Sequence, residues 1–394
     1  MRTPRASGSI DTYIFTWFYI MRVAPAFAAR RPAEKGSTMT ARPREAAPAG
    51  GPPITRHSRR LPWAVAALLV AALVAAAFSV WNGGDADASE TDDVGSSQLP
   101  DGVDRLEGFA EGTTGGADGE TVTAADQSEL EDYLSAEEPY VILVDGAIEV
   151  SPKGTEMDIA SNKSVVGVGT GGEIVGGGFF LGEDTSNVII RNLTIRDTEM
   201  PEDDPDDKDF DYDGIQMDGA SDVWIDHNRI ARMNDGLVDS RKDTTNLTVS
   251  WNEIGEGNKA FGIGWTDNVT AEITIHHNWI HDTGPRNPST DNVAHAHLYN
   301  NYLQNIDGYG NYSRGYTKMV IENSYFENVT DPYYPDETAE LVESGSVCVD
   351  CSGRQETSGS AFDPGEFYDY TLHPAEDLPA MLDEYAGPQD WIEG

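Results

Sequence analysis

The sequence predicts an all-β chain folded as a single-stranded parallel β-helix, a solenoid capped at its start by a short helix. Three observations lead there. Helical periodicity ends before the apolar run Tyr140–Val144, and short strands separated by turns take over. Six strand-plus-asparagine segments then recur: VIIRN to Asn192, VWIDHN to Asn228, LTVSWN to Asn252, ITIHHN to Asn278, AHLYNN to Asn301 and MVIEN to Asn323, at intervals of 36, 24, 26, 23 and 22 residues. Within each unit apolar and β-branched residues alternate, so one side of every strand faces inward. Self-similarity at this period means that each unit buries its inner face only against its neighbours.

The elements follow in order. Residues 1–60 hold 11 Lys+Arg against 3 Asp+Glu and have no domain-like pattern; Met39 is an alternative start. Leu61 to Trp81 is an uncharged apolar stretch behind Arg59-Arg60, which resembles a twin-arginine export signal. It is long enough to span a bilayer. Export is therefore expected, with the segment either cleaved among the small residues at Asp85–Ser89 or kept as an anchor. Residues 82–103 are rich in Gly, Asp and Ser and read as a linker, and the solenoid domain occupies 104–394. A capping helix is expected from near Thr123, with Leu130, Tyr133 and Leu134 as its apolar side. The longest interval contains PEDDPDDKDFDYD, an acidic insertion on the solenoid surface. Residues 331–394 are expected to form late coils and a tail that wraps the solenoid.

The net charge of −42 is unevenly spread: beyond residue 60 there are 15 basic and 65 acidic residues. Such a body repels nucleic acid and anionic membranes. Its acidity reads either as a solvated coat suited to a secreted protein in salt or, for some aspartates, as calcium ligation. Cys348 and Cys351 are the only cysteines; with no second pair to complete a zinc site, a small loop disulfide is expected in an oxidising compartment.

The chemistry-bearing residues lie between Asp211 and Arg314. Asp211 and Asp213 stand two apart, and Asp235 and Asp239 follow one coil later. Neighbouring coils are about 4.8 Å apart, so these carboxylates can converge on one hard cation. The alternative is an acidic surface cluster. Lys259 lies 7 residues after Asn252 and Arg286 lies 8 after Asn278, which places both on one face of adjacent coils. Arg314 extends that basic strip. Surface ion pairs are the plain alternative for such cations. The stacked asparagines read as structural, their amides hydrogen-bonding from coil to coil. Of His276 and His277, one is expected to pack inside and the other to face solvent, because consecutive strand residues point to opposite sides.

Residues 121–330 resemble the family 1 polysaccharide lyases, the pectate lyases. The residues that carry the resemblance are VVGVGTGGEIVGGGFFL, NVIIRNLTIRD, DGIQMDGASDVWIDHN, DGLVD, SWNEI, Lys259, HHN, the R-x-P at Arg286, HLYNNY and IENSYFEN. The resemblance implies a right-handed parallel β-helix that cleaves polygalacturonate by β-elimination with calcium, acting as a monomer on an acidic polysaccharide. By position, Asp213, Asp235 and Asp239 match the calcium ligands, with Asp211 as an additional one. Arg286 matches the catalytic base, Lys259 a residue that binds substrate and steadies the developing enediolate, and Arg314 a substrate-binding residue. One departure is that Asp291 stands where the family often carries a second arginine, in R-x-P-x-x-R. This removes a cation and adds repulsion toward polygalacturonate. A pectin lyase on the same solenoid would lack the aspartates. A non-catalytic uronate-binding surface protein remains an alternative of a different class.

Overall fold

The computed structural model describes residues 99–201, 203 and 210–393. The basic segment 1–60, the apolar segment 61–81 and most of the expected linker lie outside the described residues. So does the centre of the acidic insertion. No helix among the described residues is long and apolar enough to cross a membrane.

Alternation in each unit does what the pattern requires. Strands stack in parallel into three sheets of ten, nine and eight strands, each coil giving one strand to each sheet. The inward side chains form columns that run along the axis. On the ten-stranded sheet Val165, Ile190, Ile225, Val249, Ile275, Leu298 and Ile321 are successive register partners. On the nine-stranded sheet Ile174, Ile195, Ile230, Ile254, Ile280, Leu303 and Phe326 do the same. All are fully buried. β-branched side chains suit this arrangement because their restricted rotamers stack on like neighbours.

The asparagine register holds for four of the six positions. Asn228 Nδ2 donates to Asn252 Oδ1 at 3.0 Å, Asn252 to Asn278 at 2.9 Å, and Asn278 to Asn301 at 3.0 Å. Each Oδ1 also accepts the backbone N–H of the coil before it. Asn192 and Asn323 stand one residue earlier than expected. The ladder positions on their coils are Leu193, whose N–H donates to Asn228 Oδ1, and Ser324, whose Oγ accepts from Asn301 N–H. The two asparagines belong instead to a row of left-handed residues: Asn192, His227, Trp251, His277, Asn300 and Asn323, with φ between 41° and 63°. Asparagine tolerates this conformation, which explains why the two kinds of position look alike in sequence.

That row is the seat of the C-terminal tail. Gln389 N–H donates to Asn192 Oδ1 and His373 N–H to Asn300 Oδ1, both at 2.7 Å, and Gly387 N–H donates to the Trp251 carbonyl at 2.8 Å. Helix α2, Leu378–Tyr385, buries Leu378 and Leu382 against Trp251 and Tyr302. Val103 joins this cluster, so the end of the expected linker is packed. Both His276 and His277 are therefore buried, where one was expected at the surface; the tail covers His277, whose Nε2 meets His373 Nδ1 at 2.9 Å. Burial lowers His276 to about 4 and holds His277 well below the usual imidazole range, so both are neutral.

The capping helix α1 spans Gln127–Ser135, later than the Thr123 start. Asp126 caps it by accepting from Glu129 N–H at 3.0 Å, while the β-branched residues before it form the strand Glu120–Ala124. Leu130 and Leu134 are buried over the first coils and Tyr133 is half-buried. The two thiols are free rather than joined in the expected disulfide, and Cys351 Sγ donates to the Phe326 carbonyl at 3.4 Å.

Replacing Asn252 by alanine strips the Asn228 side-chain and backbone donors of their acceptor inside the solenoid. It is expected to lower unfolding stability by about 3 kcal/mol in urea titration. Exposed Asn305, whose side chain pairs with Asp282 and Asn328, is expected to cost less than about 0.5 kcal/mol on the same change.

Candidate active site on the eight-stranded sheet

The site is built where coils enter the eight-stranded sheet. Asp211 and Asp213 precede the strand Ile215–Asp218, Asp235 precedes Gly236–Arg241, and Lys259 opens Lys259–Gly264. Lys259 is the register partner of Gly236, and Gly262 is that of Ser289. Three residues before that pair, Lys259 and Arg286 occupy equivalent positions on adjacent coils, as expected.

One oxygen from each of Asp211, Asp213 and Asp235 lies within 4.8 Å of the others. Asp239 lies beside Asp213, buried and accepting Gly262 N–H at 3.1 Å. Glycine at 236 lets the two buried carboxylates approach: a Cβ there would sit 2.9 Å from both Asp213 Oδ1 and Asp239 Oδ1. Gly236 N–H donates to Asp213 Oδ1 at 2.6 Å. Asn234, beside Asp235, ties down the insertion by donating to Asp203 Oδ2 at 2.7 Å and to the Phe210 carbonyl at 2.8 Å.

Glu156, the pair Arg241 and Gln216, and Trp265 were not legible in the sequence pattern. Glu156 Oε1 accepts Asp213 N–H at 3.0 Å from a strand 57 residues earlier. Gly178 on the intervening coil allows this, since a Cβ there would lie 2.2 Å from the Asp213 carbonyl. Arg241 binds Asp218 at 2.8 Å. Gln216, with its amide turned to suit both neighbours, bridges Arg241 and Asp213 Oδ2 at 2.8 Å each. Trp265 is the third: its ring, 5.3 Å from the Arg286 guanidinium and 5.9 Å from that of Arg241, lies over Gly262. Only coil-to-coil register, unavailable before the fold, joins these residues to the aspartates.

The acids repel one another. Burial, then Asp239 and Glu156, hold the Asp213 carboxyl well above its usual range. Burial raises Asp239 to about 7 against the pull of Arg286, with Asp235 adding to the rise. Burial and Asp235 also raise Asp211. Lys259 Nζ contacts Asp235 Oδ1, the one cation paired within the trio among the described residues. Hard oxygen donors this close, short of positive charge, fit a calcium-sized cation. Arg286 is half-buried, in a left-handed conformation at φ 68°, and its side chain has no ion-pair or hydrogen-bond partner among the described residues. Arg314 is exposed one coil further on, 5.4 Å from the Tyr312 ring and opposite Asp291.

A β-helix bearing clustered carboxylates beside an unpaired arginine has the layout of a polysaccharide lyase. A pectate lyase family model matches residues 102–344. The pectate trisaccharide-lyase of Bacillus licheniformis is 34% identical over 305 residues, covering 72% of this chain and 86% of its own. That of Thermotoga sp. (strain RQ2) is 32% identical over 323 residues, covering 70% and 85%. The crystal structure of the pectate lyase Bsp165PelA from Bacillus sp. N165 with trigalacturonate superposes with a TM-score of 0.61 at 27% identity, over 72% of this chain and 99% of that one. The chain belongs to the pectate lyase family, and it is an enzyme acting on an acidic polysaccharide rather than a non-catalytic surface protein. The motif residues Asp226, His227, Trp251 and His277 that helped to mark the resemblance are buried under the tail, away from this sheet.

Burial raises Glu156 from 4.5 to about 7, with Asp211 adding to it. The folded protein thus holds a proton that the unfolded chain releases. The stability this confers is full below pH 4.5 and is lost as pH rises through about 7. In chelated protein, Glu156→Gln should match wild type at about pH 4 and exceed it by about 2 kcal/mol at about pH 8, read from urea midpoints.

Proposed function

We propose that the protein is a secreted, calcium-dependent pectate lyase that cleaves α-1,4-polygalacturonate by β-elimination and releases unsaturated oligogalacturonates. The observation that carries this reading is the trio Asp211, Asp213 and Asp235 set beside Lys259 and an unpaired Arg286. The relatives' name, pectate trisaccharide-lyase, supports pectate as the substrate and short oligomers as products.

Abstracting the C5 proton of a uronate is opposed by the neighbouring carboxylate, which resists a second negative charge. Calcium, when bound, supplies the positive charge that neutralises that carboxylate and acidifies C5–H. Asp211, Asp213 and Asp235 would hold it, with Asp239 behind them. Lys259, on the coil between the aspartates and Arg286, is placed to donate to the developing enediolate. Arg286, with no carboxylate paired to its guanidinium, is the group we assign to the C5 proton: its neutral form takes that proton as the C4–O4 bond breaks, and water protonates the departing oxygen. Asp291 leaves Arg314 as the cation nearest a flanking sugar of the polymer.

Export rests on the basic-then-apolar segment ending at Trp81, and the acidic surface suits a soluble monomer outside the cell.

Polygalacturonate with calcium should give rising ultraviolet absorbance from unsaturated uronates. A chelator should abolish the rise, and returned calcium restore it. Arg286→Lys is expected to lower kcat by about 100-fold or more. Asp213→Asn should lose the response to calcium, yet leave the chelated protein at least as stable because one repelling charge is gone. Reducing ends without absorbance would indicate hydrolysis instead.

A further inference from the structure

Beyond Arg286, on the side away from the aspartates, a cavity of 230 Å³ is lined by Ile263, Trp265, Arg286, Ser289, Asp291 and Arg314. Trp265 is unusual in its exposure. It is 50% exposed, although large aromatics are normally buried for their area. Its backbone is left-handed at φ 58°, directly after Gly264 at φ 129°. Lys242 and Asn292 are left-handed at the same turn of the neighbouring coils, at φ 51° and 58°, so this turn points a side chain of any size outward and here it presents an indole. The ring rests over Gly262, where a Cβ would lie 2.5 Å from it, with the Arg286 and Arg241 guanidinium groups 5.3 Å and 5.9 Å from its centre and half of its surface still exposed.

Asp291 shares the cavity. It is half-buried against Gly264 and Gly315, where added Cβ atoms would come within 2.8 Å and 2.5 Å of its side chain. It is the register partner of Arg314, yet among the described residues it makes no ion pair and its carboxylate accepts no hydrogen bond. Arg286 and Arg314 give the cavity two positive charges and Asp291 one negative, a net of +1. An arginine at 291 would make that +3. The chain has kept an apolar platform and a free acceptor where an all-basic cleft would grip carboxylates.

We propose that this cavity is a sugar subsite that takes a methyl-esterified galacturonate, next to the free uronate held over the aspartates. The C–H face of the sugar lies on Trp265, its hydroxyls donate to Asp291, and its ester carbonyl accepts from Arg314. A free carboxylate meets Asp291 and gains less here than in a cleft of three cations. The inference rests on the lyase reading for the neighbouring sugar and adds the class of its flanking residue: the preferred polymer is partly esterified.

The test compares kcat/KM for unsaturated product on polygalacturonate and on lightly methyl-esterified pectin, in calcium. Wild type should favour the esterified polymer. Asp291→Arg should shift the ratio toward polygalacturonate roughly ten-fold, and shape-conserving Asp291→Asn should shift it the same way by less. Trp265→Ala should raise KM more on the esterified polymer. A wild-type preference for polygalacturonate that neither Asp291 variant moves would overturn the proposal. Wild type inactive on both polymers would instead overturn the lyase reading. The subsite is then read from calorimetric binding of esterified and free galacturonate oligomers to wild type and Asp291→Arg, where the same shift in ratio supports it and an unchanged ratio overturns it.

Discussion

Each coil of this protein satisfies its backbone by hydrogen-bonding to the coil before and the coil after it, and buries its inner side chains only against theirs. Parallel pairing in register therefore carries both the core and the chemistry. The aliphatic column from Val165 to Ile321 and the ladder from Asn228 to Asn301 are two readings of that one register. The ladder sits where chain direction changes between sheets, and its amides absorb the backbone donors that a bend leaves unpaired. One residue earlier, the left-handed row turns carbonyls and amides outward, and the tail binds there.

The same register gathers the active site from positions far apart in sequence. Glu156, Asp213 and Asp239 come from different coils and meet because glycines at 178 and 236 leave no Cβ between them. The result is an unfavourable concentration of negative charge, visible in the raised acids Asp213, Asp239 and Glu156. Folding energy from the solenoid holds the carboxylates together, and their mutual repulsion is what a divalent cation would relieve. Lys259 and Arg286, one and two coils on, set positive charge where a substrate anion must lie.

Much of this was legible in the sequence. The repeat gave the solenoid, and the aspartates, Lys259, Arg286 and Arg314 fall on one sheet in the expected order. The errors came from properties that a linear pattern does not carry. Asn192 and Asn323 were aligned with the ladder because an asparagine suits both an amide stack and a left-handed turn. One of His276 and His277 was expected at the surface because alternation ignores a tail that arrives 96 residues later. Thr123 went to a strand because β-branched residues paired with the next coil before Asp126 could start the helix. Glu156, Gln216, Arg241 and Trp265 carry no motif, and they matter through register partners and through the space left by glycines.

The central claim is that the carboxylate cluster and the substrate share one cation. Calcium titrated calorimetrically into Arg286→Lys protein, with and without trigalacturonate, tests it most directly. Shared coordination predicts that trigalacturonate tightens calcium binding by roughly ten-fold or more, and that calcium tightens trigalacturonate equally, because such coupling is reciprocal. Calcium affinity unchanged by trigalacturonate, with trigalacturonate binding equally well in chelator, would contradict it.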